Sequence, residues 1–159
     1  MTVAQRLQEL GLTLPETAGE SYYGATYGTM KPFHRSGNLV FLSGHVPDVG
    51  GEVIHPGALG REVTIEQGYE AARLTGLNVL AGLAQAVGDL DRVRALVRSL
   101  NFVVCTPDFH DVHKVSSGFS DLMAEVFGPE IGIGGRATIG VMALARNHCF
   151  ETWVTAEVV

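Results

Sequence analysis

The sequence predicts an α+β fold: a single mixed β-sheet with two long helices packed on one face. Three observations lead there. Two stretches, 64–88 and 107–127, repeat apolar residues at helical intervals; four shorter runs are β-prone; and turn signals separate each run from the next. At 159 residues the chain fits one domain, 1–159, with 1–30 forming a leading helix and its connecting segment.

In order along the chain, 3–10 has helical spacing and stops at Gly11, after which Pro15 and a Gly/Tyr-rich stretch to Gly28 predict an irregular connection. A strand follows over 38–45, closed by Pro47 and Gly50-Gly51, with a hairpin through 52–55 as an option. Thr64 and Gln67 form a capping-box signature ahead of Ile65, Tyr69, Ala72, Leu77, Leu80 and Leu83, which predicts a long amphipathic helix ending at Gly88. Strand character returns over 93–105. Thr106-Pro107 then predicts the start of a second helix, 107–127, with Phe109, Val112, Val115, Phe119, Leu122 and Val126 on its apolar stripe and Gly128-Pro129 as its stop. The last segment predicts a hairpin, 136–144 with 149–158, joined by 145–148.

Composition narrows the function. Hydrophobic residues make up 46% of the chain and mean hydropathy is +0.19, more apolar surface than a small monomer hides, so self-association is expected. A net charge of −6 with 11 Lys and Arg and no basic cluster disfavours nucleic acid. Cys105 and Cys149 form neither a disulfide framework nor a zinc-type pair, which fits a reducing compartment, and no run approaches the ~20 apolar residues of a membrane span. A soluble, cytoplasmic protein without membrane association is the expectation.

The closing segment carries most of the chemistry. A four-residue loop would pair Arg136 with Glu157 and Met142 with Glu151, putting Ala137, Ile139, Val141, Phe150, Thr152 and Val154 against the helices. The other face would hold Arg136, Thr138, Glu151, Trp153 and Thr155 together, either solvated or built into a site against a neighbouring chain. Arg136 follows the run Gly132-Ile133-Gly134-Gly135, where a planar guanidinium can clamp a carboxylate; the plainer alternative is an exposed arginine paired with Glu157. Glu151 can serve as a general base for water, its pKa tuned by burial beside Trp153, or stand as a solvated carboxylate. Ser43-Gly44-His45 ends the first strand with a hydroxyl and an imidazole on the face of Phe41, and without a nucleophile elbow Ser43 is a hydrogen-bonding residue rather than a nucleophile. His110 and His113 lie one helical turn apart but lack an acidic companion, so no metal is expected. His34, His55 and His148 are expected at the surface, and Trp153 at an interface, in the core or stacked on a flat substrate.

Several segments together resemble the RidA (YjgF) family, in its longer chorismate-mutase-like branch. They are Arg35-Ser36-Gly37-Asn38-Leu39-Val40-Phe41-Leu42-Ser43-Gly44-His45, then Glu70-Ala71-Ala72-Arg73-Leu74 with Gly88-Asp89-Leu90-Asp91-Arg92-Val93. Pro107-Asp108-Phe109, Lys114-Val115, Phe127-Gly128 and Gly135-Arg136-Ala137-Thr138-Ile139-Gly140-Val141 complete the set, in family order across nearly the whole chain. The resemblance implies a homotrimer around a central β-barrel, with clefts between subunits where reactive enamines and imines such as 2-aminoacrylate are hydrolysed without cofactor. It also implies that Arg136 grips the substrate carboxylate, that Glu151 positions water, and that Ser43 belongs to the strand-end motif. Thr138 stands where many members carry cysteine, His45 and His113 replace amides, Met30 falls near a usual tyrosine, Trp153 replaces an acidic residue, and Arg146-Asn147-His148 replaces a proline turn. These departures favour a bulkier or aromatic carboxylate. The expectation is therefore a deaminase or lyase acting on a small carboxylate-bearing metabolite, with Glu151, Ser43 and His45 catalytic and Arg136, Thr138, His113, Trp153 and Phe41 binding substrate. A non-catalytic metabolite-binding trimer is the alternative, and an endoribonuclease a weaker one.

Overall fold

The computed structural model describes residues 1–16 and 27–159, so most of the expected irregular connection, 17–26, lies outside the described residues. Helix α1 (Val3–Glu9) begins at a Thr2–Gln5 capping box and is tied down by Arg6, whose Nε donates to Glu125 O at 2.8 Å. Two short strands missing from or shorter than the sequence expectation follow, β1 (Phe33–Ser36) and β2 (Leu39–Leu42), joined by a turn at Gly37. The small hairpin β3 (Asp48–Val49) and β4 (Glu52–Val53) forms a separate ribbon.

The long helix α2 (Ile65–Val87) has the expected Thr64–Gln67 capping box and stops at Gly88 in the left-handed region, φ 81°. The central strand β5 (Val93–Val104) leads to α3 (Val112–Phe127), which starts five residues later than 107, because 107–111 turn before Asp111 opens the helix. Phe109 packs on the core from that turn rather than from a helical stripe. A single-turn α4 (Pro129–Gly132), β6 (Gly135–Val141) and β7 (Phe150–Val158) complete the chain.

The five strands form one mixed sheet in the order β1-β2-β7-β5-β6, with β5 and β6 parallel and all other pairs antiparallel. Helices α2 and α3 pack on each other and cover one face. There Val40, Leu96, Val103, Phe150, Val154 and Ala156 meet Leu80, Leu83, Phe119 and Leu122 in a single buried core. This α+β architecture matches the expectation; the pairing of its last strands does not.

The predicted hairpin of 136–144 with 149–158 is incorrect. Strands β6 and β7 lie on opposite edges of β5, with Ser99 opposite Arg136 on one side and Val154 on the other. Helix α3 makes β5 and β6 a parallel crossover unit, and the segment 142–149 then carries the chain across the end of β5 instead of turning it back. The contact is close: a Cβ on Gly134 would sit 2.1 Å from Leu96 O. One consequence is that β6 is flipped relative to the expectation. Arg136, Thr138 and Gly140 share the helix side with Ser99, Asn101 and Val103, while Ala137, Ile139 and Val141 lie on the open face with Glu151 and Trp153.

Candidate functional site

The candidate side chains line two depressions, one on each side of the sheet, and a further groove of about 500 Å³ bordered by Phe41, Leu100, Arg136, Ala137, Trp153 and Thr155. On the open side, Tyr27, Met30, Ser43, Gly44, Ala145, Glu151 and Trp153 line a cleft of about 490 Å³. Strand β7 delivers Glu151 and Trp153 because their neighbours Phe150, Thr152 and Val154 are buried toward the helices, and period two leaves the odd residues facing out. The segment after β2 supplies Ser43 and Gly44, anchored where His45 exchanges backbone hydrogen bonds with Thr152 (3.0 and 2.9 Å).

Glu151 is the chemical centre of this cleft. Its Oε2 accepts the Trp153 indole N–H at 2.7 Å, which fixes the carboxylate and leaves its other oxygen available. Burial pushes the Glu151 carboxyl above its ordinary value, while the indole hydrogen bond pulls it part of the way back. Gly44 makes room for the pair, since a Cβ there would lie 2.6 Å from Glu151 Oε2 and 2.9 Å from Trp153 Nε1. Trp153 is 52% exposed and packs edge-on against Phe102 with ring centroids 5.6 Å apart. Phe41 lies farther along the same face, opposite Thr155. Ser43 donates its hydroxyl to Lys31 O, a tie that holds the strand end and fits a hydrogen-bonding residue.

Arg136 sits on the other side of the sheet. Its guanidinium donates to Ser120 Oγ at 3.1 Å and Ser117 Oγ at 3.4 Å, in a depression of about 300 Å³ shared with Ser99, Asp121 and the Gly134-Gly135 backbone. The alternative pairing with Glu157 does not form: Glu157 is on the open face and accepts from Asn38 at 3.4 Å. Thr138 is beside Arg136 on the helix side, its Oγ1 2.7 Å from Ser116 Oγ. Within one chain, therefore, Arg136 and Thr138 do not meet Glu151 and Ser43, although Arg136 and Trp153 both border a groove with Phe41, Leu100 and Ala137.

Two expected site histidines are elsewhere. His45 is sealed under α2 at 3% exposure, with Nδ1 2.9 Å from Ser43 O and its ring occupying the space that Gly82 leaves by lacking a Cβ. Burial lowers its pKa to about 4, so it stays neutral and lines neither depression. His113 is exposed in the first turn of α3, and like His110 it lines neither depression. Among the described residues no group of three or more His, Cys, Asp and Glu converges as metal ligands, and no helix is long and apolar enough to cross a membrane.

One group escaped the sequence reading. His148, expected at the surface, is completely buried, with Nε2 3.0 Å from the Tyr27 hydroxyl. Arg146 reaches the same hydroxyl at 3.4 Å while bridging to buried Asp48 Oδ2 at 2.7 Å and Gly51 O at 2.8 Å. The only hint in the sequence was the unusual Arg146-Asn147-His148 loop, which a surface turn explained equally well.

Comparison with known proteins places this architecture. A family model described as "YjgF/chorismate_mutase-like, putative endoribonuclease" matches residues 4–157. Protein TCP17 of Trypanosoma cruzi is 38% identical over 157 residues, covering 98% of this chain and 93% of that protein. Among solved structures, the protein Atu1372 of Agrobacterium tumefaciens, with unknown function, is 34% identical with a TM-score of 0.87, covering 99% of this chain and 92% of its own. A "putative endoribonuclease" of Shewanella oneidensis MR-1 is 31% identical with a TM-score of 0.91, covering 99% and 100%.

Proposed function

Since the chain belongs to the YjgF/chorismate-mutase-like family, we propose that it is a cofactor-independent hydrolase, a deaminase or related lyase, acting on an imine, enamine or amino-substituted small carboxylate. The observation that carries this reading is Glu151: a half-buried carboxylate with a raised pKa, held at one oxygen by Trp153 and facing a cleft. Such a group is suited to take a proton from water as that water's oxygen attacks the carbon of a C=N bond. The tetrahedral amino alcohol then collapses to a carbonyl compound and ammonia. Trp153 and Tyr27 give the cleft aromatic walls, which favours a substrate with a flat or bulky group beside its carboxylate.

A single chain holds Arg136 and Glu151 on opposite sides of its sheet, so a small substrate cannot touch both. Assembly supplies the missing juxtaposition in this reading, with the partner subunit's Arg136 gripping the carboxylate over one protomer's Glu151. The open face supports self-association: Phe41, Ile139 and Trp153 are 41%, 46% and 52% exposed there, with Phe102 and Leu100 between them. We read the assembly as a cytoplasmic homotrimer whose open faces close a central barrel.

The test is ammonia release from enzymatically generated 2-aminoacrylate and a panel of aromatic amino and hydroxylamino acids, with wild-type protein and Arg136→Ala. Release by the wild type that falls about 100-fold or more in the variant is the expected result. Binding of these acids without product would instead identify a metabolite-binding protein. RNA cleavage that survives Arg136→Ala would point to the endoribonuclease label, against a net charge of −6.

A further inference from the structure

Three serines border the Arg136 depression, Ser99 from β5 and Ser117 and Ser120 from α3, and they fall into two kinds by where the hydroxyl proton goes. Ser117 donates to His113 O at 2.9 Å and Ser120 to Ser116 O at 3.5 Å, each a back-bond to the preceding helical turn. Their lone pairs are thereby turned outward, and both accept from the Arg136 guanidinium. Nη1 serves Ser120 at 3.1 Å and Ser117 at 3.4 Å, and Nη2 reaches Ser117 at 3.5 Å.

A guanidinium has five N–H groups, and these contacts take both on Nη1 and one on Nη2. The Nε proton and the second Nη2 proton make no hydrogen bond among the described residues. Together they form the side-on edge of the fork, two parallel donors that match the two oxygens of one carboxylate. The charges around the depression suit an anion: Arg98 and Arg136 border it against Asp121, whose Oδ2 already accepts the Tyr69 hydroxyl at 2.6 Å.

Ser99 is of the other kind. It lies opposite Arg136 in the register of β5 and β6, on the same side of the sheet, and is 9% exposed. Fully buried Thr152 donates to Asn101 Oδ1 at 2.7 Å, which turns the Asn101 amide NH2 toward Ser99 Oγ at 3.4 Å. Ser99 therefore accepts from the interior, and its own O–H has no acceptor among the described residues. A buried polar chain that ends in an unclaimed donor at the wall of a depression is built to meet an oxygen from outside the chain.

We propose that Ser99 is a second substrate-binding residue beside Arg136, donating its hydroxyl to the carboxylate held by the open Nε–Nη2 edge, with Ser117 and Ser120 as positioning residues of that edge. The inference rests on the reading that Arg136 grips a carboxylate, and it narrows what is recognised. Three donors converge on a planar acid end. The corresponding neutral amide brings two protons of its own to those donors and is refused.

Calorimetric titration of the full chain with pyruvate and benzoate, against pyruvamide and benzamide, tests the assignment. Wild type should prefer the acids, and Ser99→Ala should weaken the acids about 10-fold without weakening the amides. Acids and amides weakened alike, or neither weakened, would reduce Ser99 to a packing residue and overturn its role. The Arg136 Nε–H resonance of 15N-labelled protein, assigned through Arg136→Ala, should shift on saturation with benzoate in wild type and in Ser99→Ala; an unmoved resonance would overturn the open edge. Replacing both Ser117 and Ser120 by alanine should raise the Kd of the acids about 10-fold, and replacing both by threonine, which keeps the back-bonds, should restore it; threonine that rescues nothing would remove the positioning role. Acid binding that survives Arg136→Ala defeats the carboxylate reading of Arg136 itself, and a wild type that binds neither acid defeats both readings. Binding lost in Arg136→Ala but unchanged in Ser99→Ala defeats the Ser99 assignment alone.

Discussion

At the scale of single residues, His45 and Glu151 are both moved from their ordinary pKa values by burial, with opposite consequences. His45 has a folded-state value of about 4 against an ordinary 6.5. Above pH 6.5 both folded and unfolded chains hold it neutral and the protein keeps its full stability. As pH falls from 6.5 toward 4 the unfolded chain takes a proton that the folded one refuses, and stability drops by up to about 3 kcal/mol. Urea midpoints measured across that window should show the loss, and His45→Gln, neutral throughout, should show less of it. For Glu151 the deprotonated form is the base, so activity should rise with pH through its elevated pKa. Trp153→Phe removes the one hydrogen bond that lowers that value and should move the acid limb of kcat/KM to higher pH; a limb that stays put would disconnect Glu151 from the rate. Glu151 and Trp153 were recognisable as neighbours because strand periodicity fixes which residues share a face. His148 was not, because its burial depends on a left-handed turn that no apolar spacing announces.

Elements were legible where local chemistry decides them. The capping box at Thr64, the stop at Gly88 and the apolar run of β5 all act over a few residues, and each recurs in the structure. Partner choice between strands is a long-range matter, and a short loop between two β-prone runs looks like a hairpin whether or not a third strand lies between them. That is why Arg136 was assigned to the wrong side of the sheet. The helix pair shows a second long-range constraint: a Cβ on Gly118 of α3 would lie 2.0 Å from Tyr69 O of α2. Backbone cannot yield there as a side chain could, so Gly118→Ala should cost about 3 kcal/mol in denaturant unfolding. A change below about 0.5 kcal/mol would mean that the helices part easily.

For the whole molecule, the exposed apolar face and the separation of Arg136 from Glu151 give one joint prediction. Ile139 lies on the open face at 46% exposure, away from both candidate depressions. Ile139→Glu should leave the circular dichroism spectrum intact, shift sedimentation to the monomer and abolish ammonia release; a wild type that already sediments as a monomer would remove the shared-site reading. The position of β7 has a further effect, on the order in which the protein is made. Strand β7 lies between β2 and β5, yet it is the last of the five to be synthesised. Until it leaves the ribosome, β1 and β2 have no bond to β5 and β6, and both groups present open strand edges to the cell. The sheet must therefore close in a single late event, and a premature stop at or before codon 150 removes its middle rather than trimming its margin.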